Sequence, residues 1–286
     1  MKDEFYAGKV AVVTGAGGTL CSVIAADLAD KGCKVVLIGR TRSKLEKTEA
    51  AILAKGGECM IKTCDVLSES EMTRIAAEVM QELGPCRFLV NGAGGNNMKA
   101  RTTKSHFDAD DMTDDPEKKT SELKGFWDLD MPTFEQVLQT NTTGTVIAIK
   151  AFCRDMIAAG GGSILNFASM NTYCPLTGNP AYAMGKAAIA NFTQWSGAYF
   201  APAGVRINAV APGFFVNERS IAYLGSPETG LTKRGEKVID HTPQGRFGQP
   251  VDLLGTVDFL LDDRKSAFVT GVTIPVDGGF LTLSGV

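Results

Sequence analysis

The chain has 286 residues, of which 44% are hydrophobic and 21% charged, a composition typical of a globular protein large enough for one α/β domain. A net charge of -3 gives no electrostatic reason to expect a nucleic-acid or anionic-membrane partner. No apolar run reaches the roughly 18 to 20 residues that cross a bilayer, and residues 1–9 contain no apolar signal segment. We therefore expect a cytoplasmic protein.

The cysteines and histidines predict neither disulfides nor a metal site. The seven cysteines show no Cys-x-x-Cys pairing and are scattered, at Cys21, Cys33, Cys59, Cys64, Cys86, Cys153 and Cys174. We interpret them as reduced and mostly buried small residues. Because His106 and His241 are the only histidines, no His/Cys metal cluster can be drawn from the sequence.

Strand-like and helix-like segments alternate in the first third of the chain. β-branched or apolar runs predict strands over 9–13, 34–38, 59–63 and 87–90, with helical periodicity over 20–32, over 43–55 and from Ser68 onward. Glu71, three residues after Ser68, predicts a capping box. The glycine-rich turn 14–18 separates the first strand from the first helix, which predicts a phosphate site at that helix N-terminus.

The same alternation continues after a polar interruption. Residues 96–130 mix charges without periodicity, so we expect an insertion that is either solvated or functional. Beyond it the patterns predict helices over 134–156, 180–200 and 250–262, strands over 163–167, 205–210 and 272–276, and an irregular stretch over 214–249. This order predicts one domain, residues 1–286, with a doubly wound, mostly parallel sheet flanked by helices on both faces.

Three polar side chains after the fifth predicted strand have spacings that suit hydride-transfer chemistry. Ser169 ends the strand, and Tyr182 and Lys186 are one helical turn apart on one face. A carbonyl oxygen held between the two hydroxyls could be protonated by Tyr182 as it is reduced. Work near neutral pH requires the tyrosine pKa to fall from about 10 by roughly 2 to 3 pH units, a change to which we expect the positive charge of Lys186 to contribute.

Taken in order, the motifs resemble the short-chain dehydrogenase/reductase family over nearly the whole chain. They are Thr14-Gly15, Asp65-Val66, Asn91-x-Ala93-Gly94, Asn141, Ser169, Tyr182-x-x-x-Lys186, Pro212-Gly213 and Val276-Asp-Gly-Gly279. Ser169 precedes Tyr182 by 13 positions, which is the family spacing. The resemblance implies a Rossmann-type fold, an NAD(P)-dependent alcohol/ketone oxidoreductase, and a homotetramer, with a dimer as the alternative.

The resemblance also implies roles for individual residues. Tyr182 would be the general acid/base, Ser169 would donate to the substrate oxygen, Lys186 would bind the nicotinamide ribose, and Asn141 would hold a water that links Lys186 to solvent. The implied cofactor contacts lie at strand ends and in the turns that follow: Thr14, Gly15, Gly17, Gly18, Thr19, Leu20, Arg40, Asp65, Val66, Asn91, Gly92, Ala93, Gly94, Tyr182, Lys186, Pro212, Gly213, Phe215 and Asn217.

The cofactor region departs from the family pattern at four positions. Thr19 and Cys21 stand where the pattern has its last two glycines, Gly92 replaces an asparagine, and Asn217 stands where threonine is common. The second strand ends in Gly39-Arg40 instead of a carboxylate, which favours NADP over NAD. Alternatively, Arg40 stacks on adenine or faces water.

Shorter motifs resemble the D-mannonate oxidoreductase (fructuronate reductase) branch of the family. They include residues 168–171, 191–195, 212–215, 241–248 and 284–286. A sugar-acid substrate would need polar contacts and a cation, for which we expect Asn96, Asn171 and Arg219, with Arg246 and His241 in the substrate-lid stretch 214–249. The alternatives are another carbonyl substrate (3-oxoacyl, sugar or polyol) or a catalytically silent dinucleotide-binding sensor.

Overall fold

A parallel sheet organises the molecule. The computed structural model describes residues 3–104, 106–113, 115, 124–216, 221–222, 224–226 and 229–284. The strands in these ranges are β1 (Val10–Thr14), β2 (Lys34–Gly39), β3 (Glu58–Thr63), β4 (Cys86–Asn91), β5 (Gly162–Phe167), β6 (Val205–Pro212), the short β7 (Gly225–Ser226) and β8 (Gly230–Leu231), and β9 (Thr273–Val276). Within the described ranges seven of them form one sheet, in the order β3-β2-β1-β4-β5-β6-β9, with every neighbouring pair parallel.

Helices cover both faces of this sheet. They are α1 (Thr19–Asp30), α2 (Arg42–Leu53), α3 (Glu69–Glu82), α4 (Met131–Asn141), α5 (Thr143–Ala158), α6 (Pro180–Phe200), α7 (Lys233–Asp240), α8 (Leu254–Leu261) and α9 (Asp263–Ser266). One core layer packs Ile24 of α1 and Leu260 of α8 on the sheet, and the other packs Ile75 of α3 and Phe152 of α5. The predicted single-domain, doubly wound fold is confirmed.

The chain reverses its direction of winding between β1 and β4, which defines where a ligand can bind. Residues 10–63 build the half of the sheet from β1 out to β3, and β4 then pairs with the other side of β1. The loops that leave the carboxyl ends of β1 and β4 therefore diverge, one toward each face. Such a switch point opens a crevice at that edge of the sheet.

The helix predicted over 134–156 is two helices, broken at Thr142. Thr142 has φ -119° and ψ -71°, and the side-chain amide of Asn141 donates to the carbonyl of Val137 at 2.8 Å. The second helix packs tightly on β3's following turn, since a Cβ on Gly144 would lie 2.6 Å from Val66 Cγ2. The predicted capping box is also wrong: Ser68 makes no side-chain cap, and Glu71 pairs with Arg74 at 3.0 Å.

The polar insertion is attached to the loop that precedes α6. The side-chain amide of Asn96 donates to Asn179 Oδ1 at 2.7 Å, and the backbone amide of Thr102 donates to the Gly178 carbonyl at 3.3 Å. Ala100 is buried with Val137 and Ala181. Residues 105, 114 and 116–123 of the predicted insertion lie outside the described residues.

The stretch predicted as irregular over 214–249 contains regular structure. Strands β7 and β8 form an antiparallel hairpin, and α7 follows it. Residues 217–220, 223, 227 and 228 of this stretch are outside the described residues. Within the described ranges, no helix is long and apolar enough to span a membrane.

Candidate active site

A cavity of about 1130 Å³ opens at the carboxyl ends of the central strands. Its wall includes the turn after β1, the end of β5 and the start of α6, so that Gly15, Ser169 and Tyr182 face one continuous space. The cavity also extends into the outer groove between α1 and α2, where Asp30 and Lys55 line it. The structure thus brings the predicted phosphate turn and the predicted catalytic side chains together.

The turn after β1 is built by backbone. Gly15 has φ +68°, and a Cβ there would lie 2.8 Å from the Ala93 amide nitrogen and the Gly92 carbonyl, so glycine is required for both conformation and space. Helix α1 begins at Thr19, with Gly18 in the N-cap position and no side-chain cap. Gly15, Gly17, Gly18 and Thr19 all line the cavity, which directs the helix N-terminus and its free N–H groups at it.

Two departures from the family pattern compensate each other. Cys21 replaces a glycine and Gly92 replaces an asparagine. A Cβ on Gly92 would lie 2.0 Å from Cys21 Sγ, so the thiol occupies the space that a side chain at position 92 would need. Burial raises the pKa of the Cys21 thiol to about 12, and it is therefore uncharged. The turns after β1 and β4 can therefore pack closely, because the added thiol at position 21 fills the space left by the missing side chain at position 92.

Several predicted cofactor contacts brace the strand ends and do not line the cavity. Thr14 accepts a hydrogen bond from the Ala93 amide at 3.2 Å, and the Asn91 side chain donates to Asn166 at 2.9 Å. Val66 is buried against Gly144. By contrast, the predicted contacts Leu20, Arg40, Gly94, Pro212, Gly213 and Phe215 do line the cavity. Asn217 lies outside the described residues.

Arg40 stands at the rim, after the last residue of β2. Its Nη1 lies 3.7 Å from Asp65 Oδ2, and both side chains are well exposed. Asp65 also accepts a hydrogen bond from the Leu67 amide at 3.0 Å. An exposed ion pair of this length contributes little free energy, so the guanidinium can turn to another anion.

Ser169 and Tyr182 line the same cavity. The backbone amide and the side-chain amide of Asn171 both donate to Ser169 Oγ at 3.2 Å. These donors use the lone pairs of Ser169 Oγ and leave its proton to be donated to another oxygen. Burial raises the pKa of Tyr182, and the neighbouring Ser169 hydroxyl opposes this by lowering it.

Lys186 is 5% exposed and lies behind the tyrosine. Its Nζ donates to the Phe167 carbonyl at 2.6 Å and stands 5.5 Å from the centre of the Tyr182 ring. Burial lowers the pKa of Lys186 to about 8. The expectation that Lys186 lowers the pKa of Tyr182 is wrong for this arrangement, because the ammonium is directed at a carbonyl and desolvation dominates the phenol.

Asn141 braces the turn after β4. Its amide exchanges two hydrogen bonds with the backbone of Gly95, at 2.7 and 3.2 Å. A Cβ on Gly94 would lie 2.5 Å from Asn141 Oδ1 and 3.4 Å from Lys186 Nζ, so three predicted site residues converge there. Asn141 itself is buried and does not line the cavity. The break after α4 is what places its side chain at this junction.

On the substrate side, the structure separates residues that the sequence grouped together. Asn96 and Asn171 line the cavity, although Asn171 Oδ1 already accepts from the Leu176 backbone amide at 2.9 Å. The remaining predictions fall elsewhere: His241 packs on Phe280, Arg246 pairs with Asp252 at 2.6 Å, and Arg219 is outside the described residues. The sequence reasoning gave no role to Arg101, Asn179 and Arg234, which line the cavity.

These residues fit a nicotinamide dinucleotide. A glycine turn and a free helix N-terminus suit its pyrophosphate, and the crevice lies at the switch point of the sheet. The far end of the same cavity carries the hydroxyl pair and the buried ammonium. In the part of the chain that the structure describes, no group of three or more His, Cys, Asp or Glu side chains is placed to hold a metal ion.

Known proteins share this architecture over the full chain. A structure of a proposed D-mannonate oxidoreductase from Haemophilus influenzae, with bound NAD, superposes with a TM-score of 0.91 at 38% identity, covering 100% of this chain and 98% of that one. An uncharacterised oxidoreductase of Bacillus subtilis is 40% identical over 99% of this chain and 98% of its own. Gluconate 5-dehydrogenase of Gluconobacter oxydans is 29% identical over 95% of this chain and 94% of its own.

Two family profiles match adjacent parts of the sequence. The short chain dehydrogenase profile matches residues 9–116, and the Enoyl-(Acyl carrier protein) reductase profile matches residues 118–281. With the parallel sheet and the full-length relatives, they confirm the family that the motifs resemble. The chain belongs to the short-chain dehydrogenase/reductase family of NAD(P)-dependent oxidoreductases.

Proposed function

We propose that this protein interconverts the ketone of D-fructuronate, or of a closely related sugar acid, and the corresponding secondary alcohol, D-mannonate in the first case. The observation that carries the proposal is the placement of Ser169, Tyr182 and Lys186 together in a cavity that continues to the N-terminus of α1. The sugar-acid assignment is supported by the full-length likeness to the proposed D-mannonate oxidoreductase and by the likeness to gluconate 5-dehydrogenase.

Each residue of the catalytic end has a defined task. The nicotinamide, when bound, supplies or accepts the hydride. Tyr182 donates its proton to the carbonyl oxygen as that oxygen gains negative charge, and removes the proton in the oxidative direction. Its raised pKa keeps the phenol protonated near neutral pH, the form that reduction requires. Ser169 donates to the same oxygen and fixes its position.

Lys186 is the positioning cation of this end. Its hydrogen bond to the Phe167 carbonyl holds the ammonium beneath the Tyr182 ring. A pKa of about 8 means that Lys186 both carries charge and exchanges its proton within the neutral range. Asn141, which touches the same turn, is proposed to hold the water through which that exchange reaches solvent.

For the nucleotide we propose NADP, with Arg40 as the contact for its 2′-phosphate. Arg40 is exposed at the cavity rim after β2, and the residue before it is Gly39, so no carboxylate occupies the position that would repel this phosphate. The exposed Asp65 competes for the guanidinium, yet a dianionic phosphate is the stronger partner. The H. influenzae relative was solved with NAD, which makes NAD the direct competitor.

We also propose a cytoplasmic homotetramer, with a dimer as the alternative. The outer face of α6 carries Phe192, Trp195 and Tyr199 in a stack, with ring centres 6.0 and 5.0 Å apart. Trp195 is 57% and Tyr199 63% exposed, an unusual state for stacked aromatic residues on a single chain. Light scattering on the purified protein measures the assembly, and a monomer would overturn this proposal.

The decisive experiment follows nicotinamide absorbance over a panel of carbonyl compounds. The panel contains fructuronate, fructose, a 3-oxoacyl thioester and a simple ketone, each with NADH and with NADPH. We expect the highest kcat/KM for fructuronate with NADPH. Preference for the thioester would identify another carbonyl substrate, and nucleotide binding without turnover of any compound would identify a silent sensor.

A further inference from the structure

The polar insertion contributes a cation to the cavity at a position that no family motif marks. We propose that Arg101 binds the carboxylate of the substrate and thereby selects acidic over neutral sugars. This inference rests on the proposed sugar-acid function and names the residue that carries its specificity. Arg219, the residue expected from the sequence, is outside the described residues, whereas Arg101 lines the cavity together with Ser169 and Tyr182.

The backbone on both sides of Arg101 is fixed against the segment that leads into α6. On one side, Ala100 is fully buried against Ala181, in a cluster that the Tyr182 ring also joins. On the other, the Thr102 amide donates to the Gly178 carbonyl at 3.3 Å. Gly178 has φ +79°, and a Cβ there would lie 2.7 Å from the Thr102 carbonyl oxygen, so this contact depends on glycine.

These contacts make Arg101 part of the catalytic framework. The segment that holds it is the one that carries Tyr182, and the Asn96–Asn179 hydrogen bond of 2.7 Å ties the two together a second time. A substrate whose reacting carbonyl sits at Tyr182 therefore meets Arg101 at a fixed place along its length. A functional group at one end of a short sugar acid can be recognised only by a residue that is fixed in this way.

The charge around the catalytic end favours an anion. Among the described residues that line the cavity, the carboxylates are Asp27 and Asp30, near the carboxyl end of α1, whereas the helix N-terminus faces the site. Eight residues of helix separate Thr19 from Asp27, about 12 Å. The described charged residues on the other side are Lys186, Arg101 and Arg234, all cations. A cavity of one sign attracts a ligand of the other.

Arg101 suits a carboxylate better than the other two cations. Lys186 is buried with its Nζ on the Phe167 carbonyl, and Arg234 is exposed on the first turn of the eight-residue helix α7. Arg101 is half-buried, and its Nε is shielded from solvent. A partly desolvated guanidinium presents a rigid fork that matches two carboxylate oxygens.

The test compares two ketoses that differ at one end, fructuronate with its carboxylate and fructose with a hydroxymethyl group. In Arg101→Ala we expect kcat/KM for fructuronate to fall roughly 30- to 100-fold, mainly through KM, while kcat/KM for fructose changes less than about threefold. Arg101→Gln, which keeps a planar polar end, should show the same selective loss, and Arg101→Lys a smaller one. Lys99→Ala is the matched control, because it removes the same charge from the same turn outside the cavity.

Each outcome decides the matter. A selective loss for fructuronate in Arg101→Ala and Arg101→Gln, with Lys99→Ala unchanged, supports the assignment. Equal losses for the two ketoses, or none, overturn it while leaving the proposed function standing. A wild-type enzyme that reduces no sugar acid overturns both. Binding of the nucleotide is measured by titration in every variant. If either Arg101→Ala or Arg101→Gln no longer binds the nucleotide, the comparison is made with the other of these two variants.

Discussion

The two ends of the cavity are formed by different groups, backbone at one end and side chains at the other. The nucleotide end is backbone: Gly15, Gly17 and Gly18 line it, and the N-terminus of α1 faces it. The catalytic end is formed by side chains, those of Ser169, Tyr182 and Lys186. A site made of backbone tolerates changes of residue as long as space is conserved. A site made of functional groups requires those groups.

The two ends also differ in what they cost the folded state. The nucleotide turns cost conformational freedom, since Gly15 must hold φ +68°. The catalytic end costs electrostatic free energy, because Lys186 is buried with a pKa of about 8. We therefore expect a substitution that removes a charge to act mainly at the catalytic end, and one that changes packing to act mainly at the nucleotide end.

The largest expected effect on stability is the change in its pH dependence in Lys186→Met. The folded pKa of about 8 is below the ordinary 10.5, so both states are protonated below pH 8 and the full cost of burying the charge is present there. Between pH 8 and 10.5 the unfolded chain binds more protons, and wild-type stability rises with pH. The stability of Lys186→Met relative to wild type should therefore fall by about 2 kcal/mol between pH 7 and pH 9.5.

Urea unfolding of both proteins across this pH range measures the effect. Groups other than Lys186 contribute equally to the two proteins and cancel in the difference. If the difference in unfolding free energy stays constant with pH, burying the Lys186 ammonium does not destabilise the fold. The claim that the catalytic end has an electrostatic cost would then be wrong.

A packing test at the nucleotide end comes next in size. Gly92→Ala places a methyl group 2.0 Å from Cys21 Sγ, and we expect it to destabilise the fold by about 2 kcal/mol and to weaken nucleotide binding. In Cys21→Ala the nearest remaining atoms at that position are the Thr14 carbonyl oxygen, at 3.1 Å, and the Cβ of residue 21, at 3.6 Å, so a tight contact replaces a clash. The double variant Cys21→Ala/Gly92→Ala should recover most of the stability. If the stability losses of the two single variants simply add in the double variant, the Cys21 thiol does not occupy the space needed by a side chain at position 92.

The smallest expected effect concerns the choice of nucleotide at the rim. Arg40→Ala should raise the Kd of NADPH about tenfold and leave that of NADH within about twofold, because only the 2′-phosphate meets the guanidinium. Fluorescence titration of both reduced nucleotides measures it. A wild-type preference for NADH would refute the NADP assignment before any variant is made.

The comparison also explains which parts of the structure the sequence could predict. Alternating strands and helices determined the fold, and Ser169, Tyr182 and Lys186 were found because residue type and spacing together specify hydride-transfer chemistry. In the sequence Cys21 and Gly92 are two separate departures, because their compensation is a contact between residues 71 positions apart. Only the fold shows such a contact.

Other failures of prediction share a physical reason. The break at Thr142 interrupts a continuous helical pattern, and it places the Asn141 side chain where it bonds the distant Gly95 backbone, a contact that periodicity does not report. Arg101 looked like one more charge in a polar insertion, because packing of Ala100 against α6 gives no periodic signal. The tyrosine pKa was predicted from a neighbouring charge, whereas burial, which sequence spacing does not report, raises it.

The central claim is that Tyr182 transfers the proton at the reacting carbonyl, and Tyr182→Phe tests it most directly. The substitution removes one hydroxyl and leaves the ring in its place against the Ala100 cluster. We expect kcat for fructuronate reduction to fall by about 1000-fold, with the Kd of the nucleotide within about threefold of wild type. Turnover within tenfold of wild type would contradict the account, because another group would then have to supply the proton.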